Sequence, residues 1–209
     1  MSCKFKKLLE KIAEEKAPGP VPTFTLFHLF LAVEALAEKS IGRGKLAEKL
    51  SVGEGTARTL IERLRDYGLI EISKSGCALT SEGLRIWQEC RSVFEKKVEI
   101  EKNELTLAKH NFAILVKNCA HKIKLGVEQR DAAVSAGAKG ATTVIFKGGR
   151  LIIPSVSNNV VEDFPEAAKQ IAQILKPKEN DVIIIGSADD LGKAERGTLA
   201  AAWTLLDDC

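Results

Sequence analysis

Apolar residues recur along this chain with two different periods, and the switch between them divides it. Through the first half the spacing is helical. Leu8, Leu9 and Ile12 place an apolar stripe on an N-terminal helix, and Ala17-Pro18-Gly19-Pro20-Val21-Pro22 follows as a rigid, non-helical connector. Phe27, Phe30, Leu31, Ala35 and Leu36 form the core face of a helix over 23–39. Leu46 and Leu50 share one side of a short helix over 43–50, with Lys45 and Lys49 outward. Ala57, Leu60, Ile61 and Leu64 then fall at i, i+3, i+4 and i+7 of a further helix over 52–67. Ser51-Val52-Gly53-Glu54 has the form of a capping box for its start, and Gly68 that of the left-handed residue past its end. Residues 69–72 and 77–79 predict two short strands around a turn at 73–76.

From Ser81 to about Leu105 the period is helical again. Leu84, Trp87, Phe94, Val98 and Leu105 fall near heptad a and d positions, which predicts one long helix. Arg91 and Glu101 break the seam, so this helix either connects two domains or pairs with a second copy. After Lys109 the pattern becomes β-rich. Strands are predicted over 111–117, 141–146, 150–153 and 181–185, with Lys147-Gly148-Gly149 as a tight hairpin turn. Helices are predicted over 128–138, over 163–175 with Asp163 as cap, and over 189–206. The order β-α-β-β-α-β-α suits a two-layer α/β sandwich, with helices on one face of a mixed or antiparallel sheet. The fold class is α+β. Its parts are a helix-turn-helix domain (1–82), a connecting or dimerisation helix (83–107) and an α+β domain (108–209).

Two helices, a turn and a hairpin in this order read as a winged helix-turn-helix, whose second helix is built to enter the DNA major groove. Charge agrees. Between Lys39 and Arg65 stand seven basic residues and three acidic ones, in a chain whose total is only +3. Arg58 and Thr56 are the first candidates for base edges, then Thr59 and Glu54, with Gly55 on the same helix start. Arginine forks onto guanine O6 and N7, threonine packs on the thymine methyl or hydrogen-bonds a base, and glutamate accepts from cytosine N4. Arg43, Lys45, Lys74 and Ser51 are placed for phosphates, which position without specifying. Glu54 also reads as a cap partner alone, and Arg63 and Arg65 as a solvated face.

The second domain offers weaker candidates. Arg130 and Asp131 set a guanidinium beside a carboxylate at a helix start, and Gly186, Ser187 and Asp189 lie past the end of a strand, where open sheets often bind ligands. A third, the glycine-rich 136–141, reads most simply as a helix stop and a turn. No dinucleotide or phosphate loop and no Ser-His-Asp order occurs. Five cysteines, at 3, 77, 90, 119 and 209, lack C-x-x-C spacing, and His28, His110 and His121 are scattered, so no metal site and no cofactor is expected. The cysteines read as reduced thiols of a cytoplasmic protein. No run approaches the ~20 apolar residues of a membrane helix, and the first 16 residues carry acidic groups inside their amphipathic pattern, unlike a secretion signal.

The segments SVGEGTARTLIERLRDYGLI (51–70), GVEQRDAAVSAGAKGATTVIFKGGRLIIPSV (126–156) and IIIGSADDLGKAERGTLAAAWTLL (183–206) resemble a family of archaeal proteins regarded as transcription regulators. That family joins an N-terminal winged helix to a C-terminal α+β domain of unknown function. The first segment is common to very many regulators, and the other two are more specific. In some relatives the C-terminal domain resembles a small domain inserted in certain aminoacyl-tRNA synthetases, an architectural likeness without synthetase chemistry. The resemblance implies a regulator but carries over no operator and no effector. The expectation is therefore a cytoplasmic, homodimeric regulator that binds double-stranded DNA and whose second domain senses a small molecule or holds the dimer. An RNA- or protein-binding module is the alternative, and an enzyme is disfavoured because no nucleophile stands beside a base.

Overall fold

A computed structural model of the chain describes residues 4–14 and 23–206. The connector expected over 17–22 lies outside the described residues. Two compact units part between Arg91 and Ser92.

The first unit opens with α1 (Lys4–Glu14), which buries Phe5, Leu9 and Ile12. Next come α2 (Leu26–Glu38), α3 (Arg43–Lys49) and α4 (Glu54–Asp66). Helix α2 is apolar on most of its circumference and is the central helix of the unit, buried from His28 through Val33. His28 is buried, and its Nδ1 accepts from the Thr25 backbone N–H at 3.0 Å and so helps to cap α2. The Phe30 ring meets Phe5 and Trp87 edge-on, at 5.8 and 5.7 Å between centroids.

Both helices of the turn end in the same way. At α4, Gly68 takes φ +70; its N–H bonds Arg65 O, and Leu69 N–H reaches back to Leu64 O. At α3, Ser51 takes φ +53, its N–H bonds Glu48 O, and Val52 N–H reaches Ala47 O. This corrects the expected capping box. A residue held in the left-handed region to stop α3 cannot also adopt the extended geometry of an N-cap. Gly53 is the N-cap of α4, without a side-chain bond.

Strands β1 (Ile70–Ser73) and β2 (Gly76–Leu79) form the hairpin, with Ser73 opposite Gly76. Cys77 also bridges back to Ile41, just ahead of α3. Gly76 makes this possible. A Cβ there would lie 2.7 Å from the Ile41 carbonyl carbon, and φ is +119.

Helix α5 (Ser81–Val93) is shorter than expected and runs directly into strand β3 (Phe94–Glu99). The single helix over 81–105 is thus corrected. Phe94 and Val98 are four apart, a spacing that puts two residues on one face of a helix and equally of a strand. Glu95, Lys96, Lys97 and Glu99 then suit a charged edge strand. On α5, Ile86 and Cys90 are buried, and the Trp87 ring packs against Phe30.

The second unit continues with β4 (His110–Val116), α6 (Val127–Ser135), β5 (Gly140–Lys147), β6 (Arg150–Ile152), α7 (Val160–Asp163), α8 (Pro165–Gln170), a π-helical turn (Ile171–Leu175), β7 (Val182–Ala188) and α9 (Leu191–Trp203). The sheet order is β3-β4-β7-β5-β6, with every pair antiparallel. Central β7 is buried along its whole length, so it reads as an unbroken apolar run. Ile183 and Ile185 pack with Leu115, Val144, Ala167, Ile171 and Leu175, on the face covered by α8 and the π turn. On the other face lies α9, so close that a Cβ on Gly186 would sit 2.2 Å from Thr198 Oγ1. The class is α+β as expected, but helices cover both faces of the sheet rather than one. Each of the buried β7 isoleucines contributes about 1.5–3 kcal/mol on burial.

Helix α8 starts differently from the expectation. Asp163 does not cap it; its carboxylate accepts from the Ser157 hydroxyl at 2.6 Å. Pro165 occupies the first turn and Phe164 the N-cap, which has no side chain to offer. Glu104 supplies the missing acceptor from a distant loop, taking the N–H groups of Glu166 and Ala167 at 3.1 and 2.8 Å. Asp190, by contrast, caps α9 in the ordinary way by accepting from Lys193 N–H.

Candidate nucleic-acid interface

Helix α4 buries Ala57, Leu60, Ile61, Arg63 and Leu64. That leaves Glu54, Gly55, Arg58 and Arg65 exposed, with Thr56, Thr59 and Glu62 partly so. The first backbone bond of the helix runs from Ala57 N–H to Gly53 O, so the N–H groups of Glu54, Gly55 and Thr56 have no intrahelical acceptor. Gly55 has open space where a side chain would be, which leaves this turn accessible to an anionic oxygen.

The starts of α3 and α4 lie side by side. Arg43 Nη2 is 3.8 Å from Glu54 Oε2, and a Cβ on Gly44 would lie 3.8 Å from Glu54 Oε1. Burial pushes the Cys77 thiol of β2 above its ordinary pKa, with the Arg43 charge pulling the other way. The expected phosphate contacts Arg43, Lys45 and Lys74 are all exposed, and neither lysine forms an ion pair among the described residues.

The expected base readers are partly engaged already. The Thr56 and Thr23 hydroxyls share a hydrogen bond, and the Thr59 hydroxyl donates to Gly55 O at 3.2 Å, which leaves chiefly the methyl groups free. Glu54 pairs with Arg43 and Arg58 with Glu62. Ser51 is exposed but belongs to the end of α3. Arg63 does not lie on the solvated face: it is 5% exposed and faces inward. Sequence reasoning left out Glu62, although a glutamate four residues after an arginine is a readable helical pair. It also left out Ile72, an apolar side chain 53% exposed on the hairpin.

Residues 32–94 match the profile of the CggR N-terminal DNA binding domain. Residues 107–205 match a domain of unknown function, DUF4443. Among solved structures, a hypothetical protein, PH0730, from Pyrococcus horikoshii OT3 superposes with a TM-score of 0.71 at 28% identity, over 87% of this chain and 92% of that one. No curated protein sequence matches the chain.

In the second unit the expected ligand residues do not come together. Gly186 and Ser187 lie inside β7. The Ser187 hydroxyl donates to Asn111 Oδ1 at 2.7 Å and accepts from Leu107 N–H at 3.0 Å, so it holds a loop to the sheet. Arg130 and Asp131 pair with each other in solvent, and Asp189 pairs with Lys139 at 2.8 Å. A cleft of about 290 Å³ opens instead at the start of α6, lined by Lys124 to Gln129. Among the described residues no three His, Cys, Asp or Glu side chains gather as metal ligands, and no helix is long and apolar enough to cross a membrane.

Proposed function

We propose that the chain is a DNA-binding transcription regulator of the winged-helix type, with α4 in the major groove. The observation that carries this reading is the exposed, uncapped start of α4, flanked by Arg43 and followed by a hairpin, within the segment that matches a DNA-binding domain profile. Arg43, Lys45, Lys74 and the first N–H groups of α4 contact phosphates; Arg58 leads base reading, with Thr56, Thr59 and Glu54 beside it. The α+β unit joins two copies or senses a small molecule. A ligand held there would bias the spacing of the two reading helices.

The test is fluorescence anisotropy with random-sequence duplex DNA across a salt series, with structured RNA as competitor. A steep fall of log K with log salt that RNA reverses poorly supports duplex binding. No binding at low salt, or capture by RNA alone, moves the reading to the RNA- or protein-binding alternative. Arg58→Ala is expected to weaken binding by about 1–3 kcal/mol at one base position and to leave the other positions alone. A variant that keeps full affinity and preference removes the assignment.

A further inference from the structure

We propose that Glu62 is a positioning residue for base reading, which holds the Arg58 guanidinium so that its two terminal nitrogens form a free fork for a guanine. The inference rests on α4 being the reading helix. Arg58 Nε donates to Glu62 Oε1 at 2.9 Å, one helical turn away. Both side chains are exposed, at 67% and 42%, so the pair stands on the solvent face and buries nothing.

A guanidinium carries five N–H donors in a rigid plane. Glu62 takes the one on Nε. The four on Nη1 and Nη2 have no other partner among the described residues. Two parallel donors are what guanine O6 and N7 require. A long arginine chain on a helix surface otherwise samples many rotamers, and fixing one costs entropy at the moment of binding. A partner on the same helix removes part of that cost beforehand.

Charge alone argues for the opposite role. A carboxylate near phosphates repels them, so deleting Glu62 as a mere counter-charge should raise affinity for every duplex alike. The two roles therefore differ in whether sequence preference changes at all, which makes them separable.

The probe is a duplex enriched from a randomised pool by the full-length chain, with each G·C pair replaced in turn. Arg58→Ala identifies the guanine whose replacement ceases to matter. Glu62→Ala is expected to bind mixed-sequence duplex at least as tightly as the parent, yet to lose roughly tenfold of its preference at that same guanine. Glu62→Gln, whose amide oxygen can still accept from Nε, keeps most of the preference. Glu62→Met, a long helix former without an acceptor, repeats the loss should the alanine variant fold poorly. A uniform gain in affinity with the preference intact overturns the proposal. Duplex binding in which Arg58→Ala alters no base preference overturns the fork while leaving DNA binding to other residues. Absence of duplex binding overturns both readings together.

Discussion

Arg63 stands on the reading helix but faces away from solvent. Its Nη1 donates to Ile12 O and Ala13 O, at 2.9 and 3.2 Å, and its guanidinium lies 5.2 Å from the Phe24 ring centroid. It thereby satisfies two of the last carbonyls of α1, a helix 51 residues away in sequence. Nothing in the local pattern distinguishes Arg63 from Arg65, and only the arrival of α1 does so. Ser51 was misread for a related reason: serine is at home both as an N-cap and in a left-handed stop, whereas Gly68 has one cheap use past a helix end and was read correctly. Arg63→Ala is expected to lower stability by about 2–3 kcal/mol, since buried acceptors lose a charged donor. Urea unfolding measures this, and an unchanged midpoint would show that α1 is held by its apolar stripe alone.

At the scale of elements, the hairpin and the central strands were legible because their signals agree. Gly148 and Gly149 mark a turn, and β-branched runs flank it on both sides. The span 94–99 was not legible, since its apolar spacing suits two periods and its pairing partner β4 lies further along the chain. The two-sided cover of the sheet was hidden likewise, because an unbroken apolar strand says that both faces are buried but not by what. Helix α8 adds a dependence on pH. Desolvation would raise the Glu104 carboxyl, but the N–H bonds from its own residue, Ala167 and Glu166 outweigh it and hold the pKa below the ordinary 4.5. A depressed folded value means that this contribution is present above the unfolded pKa and lost as pH falls through the folded one. The parent should therefore lose more stability than Glu104→Gln as pH drops below about 4.3. Parallel melting curves at pH 3 to 7 check this, and identical slopes would remove the carboxylate cap as a contributor.

For the whole molecule, charge is spread thinly and its effect is local. The total is +3, and of the seven basic residues between 39 and 65 one is buried and four pair with glutamate or aspartate. Three phosphate contacts per copy, from Arg43, Lys45 and Lys74, predict a salt slope of about −2.7 per copy and about twice that for two copies on a palindrome. The expected value for a homodimer is the larger one. A slope near −3 with an otherwise tight complex would indicate a single chain on its site. The helix expected over 83–107 ends at Val93 and gives way to β3 and then to irregular chain, so it offers a partner copy a much shorter seam. The α+β unit is the place to look, and sedimentation of the full chain tests the assembly directly.

The close approach of Gly76 to Ile41 divides the hairpin into two zones of evolutionary freedom. Lys74, at the exposed tip, has no side-chain partner among the described residues, and the Ser75 hydroxyl meets only that of Ser73, at 2.7 Å, so a lineage can retune its contacts at the tip one substitution at a time. One position on, every side chain collides with backbone. In a saturation library selected for folded protein, the tip should retain nearly all amino acids and position 76 should retain glycine.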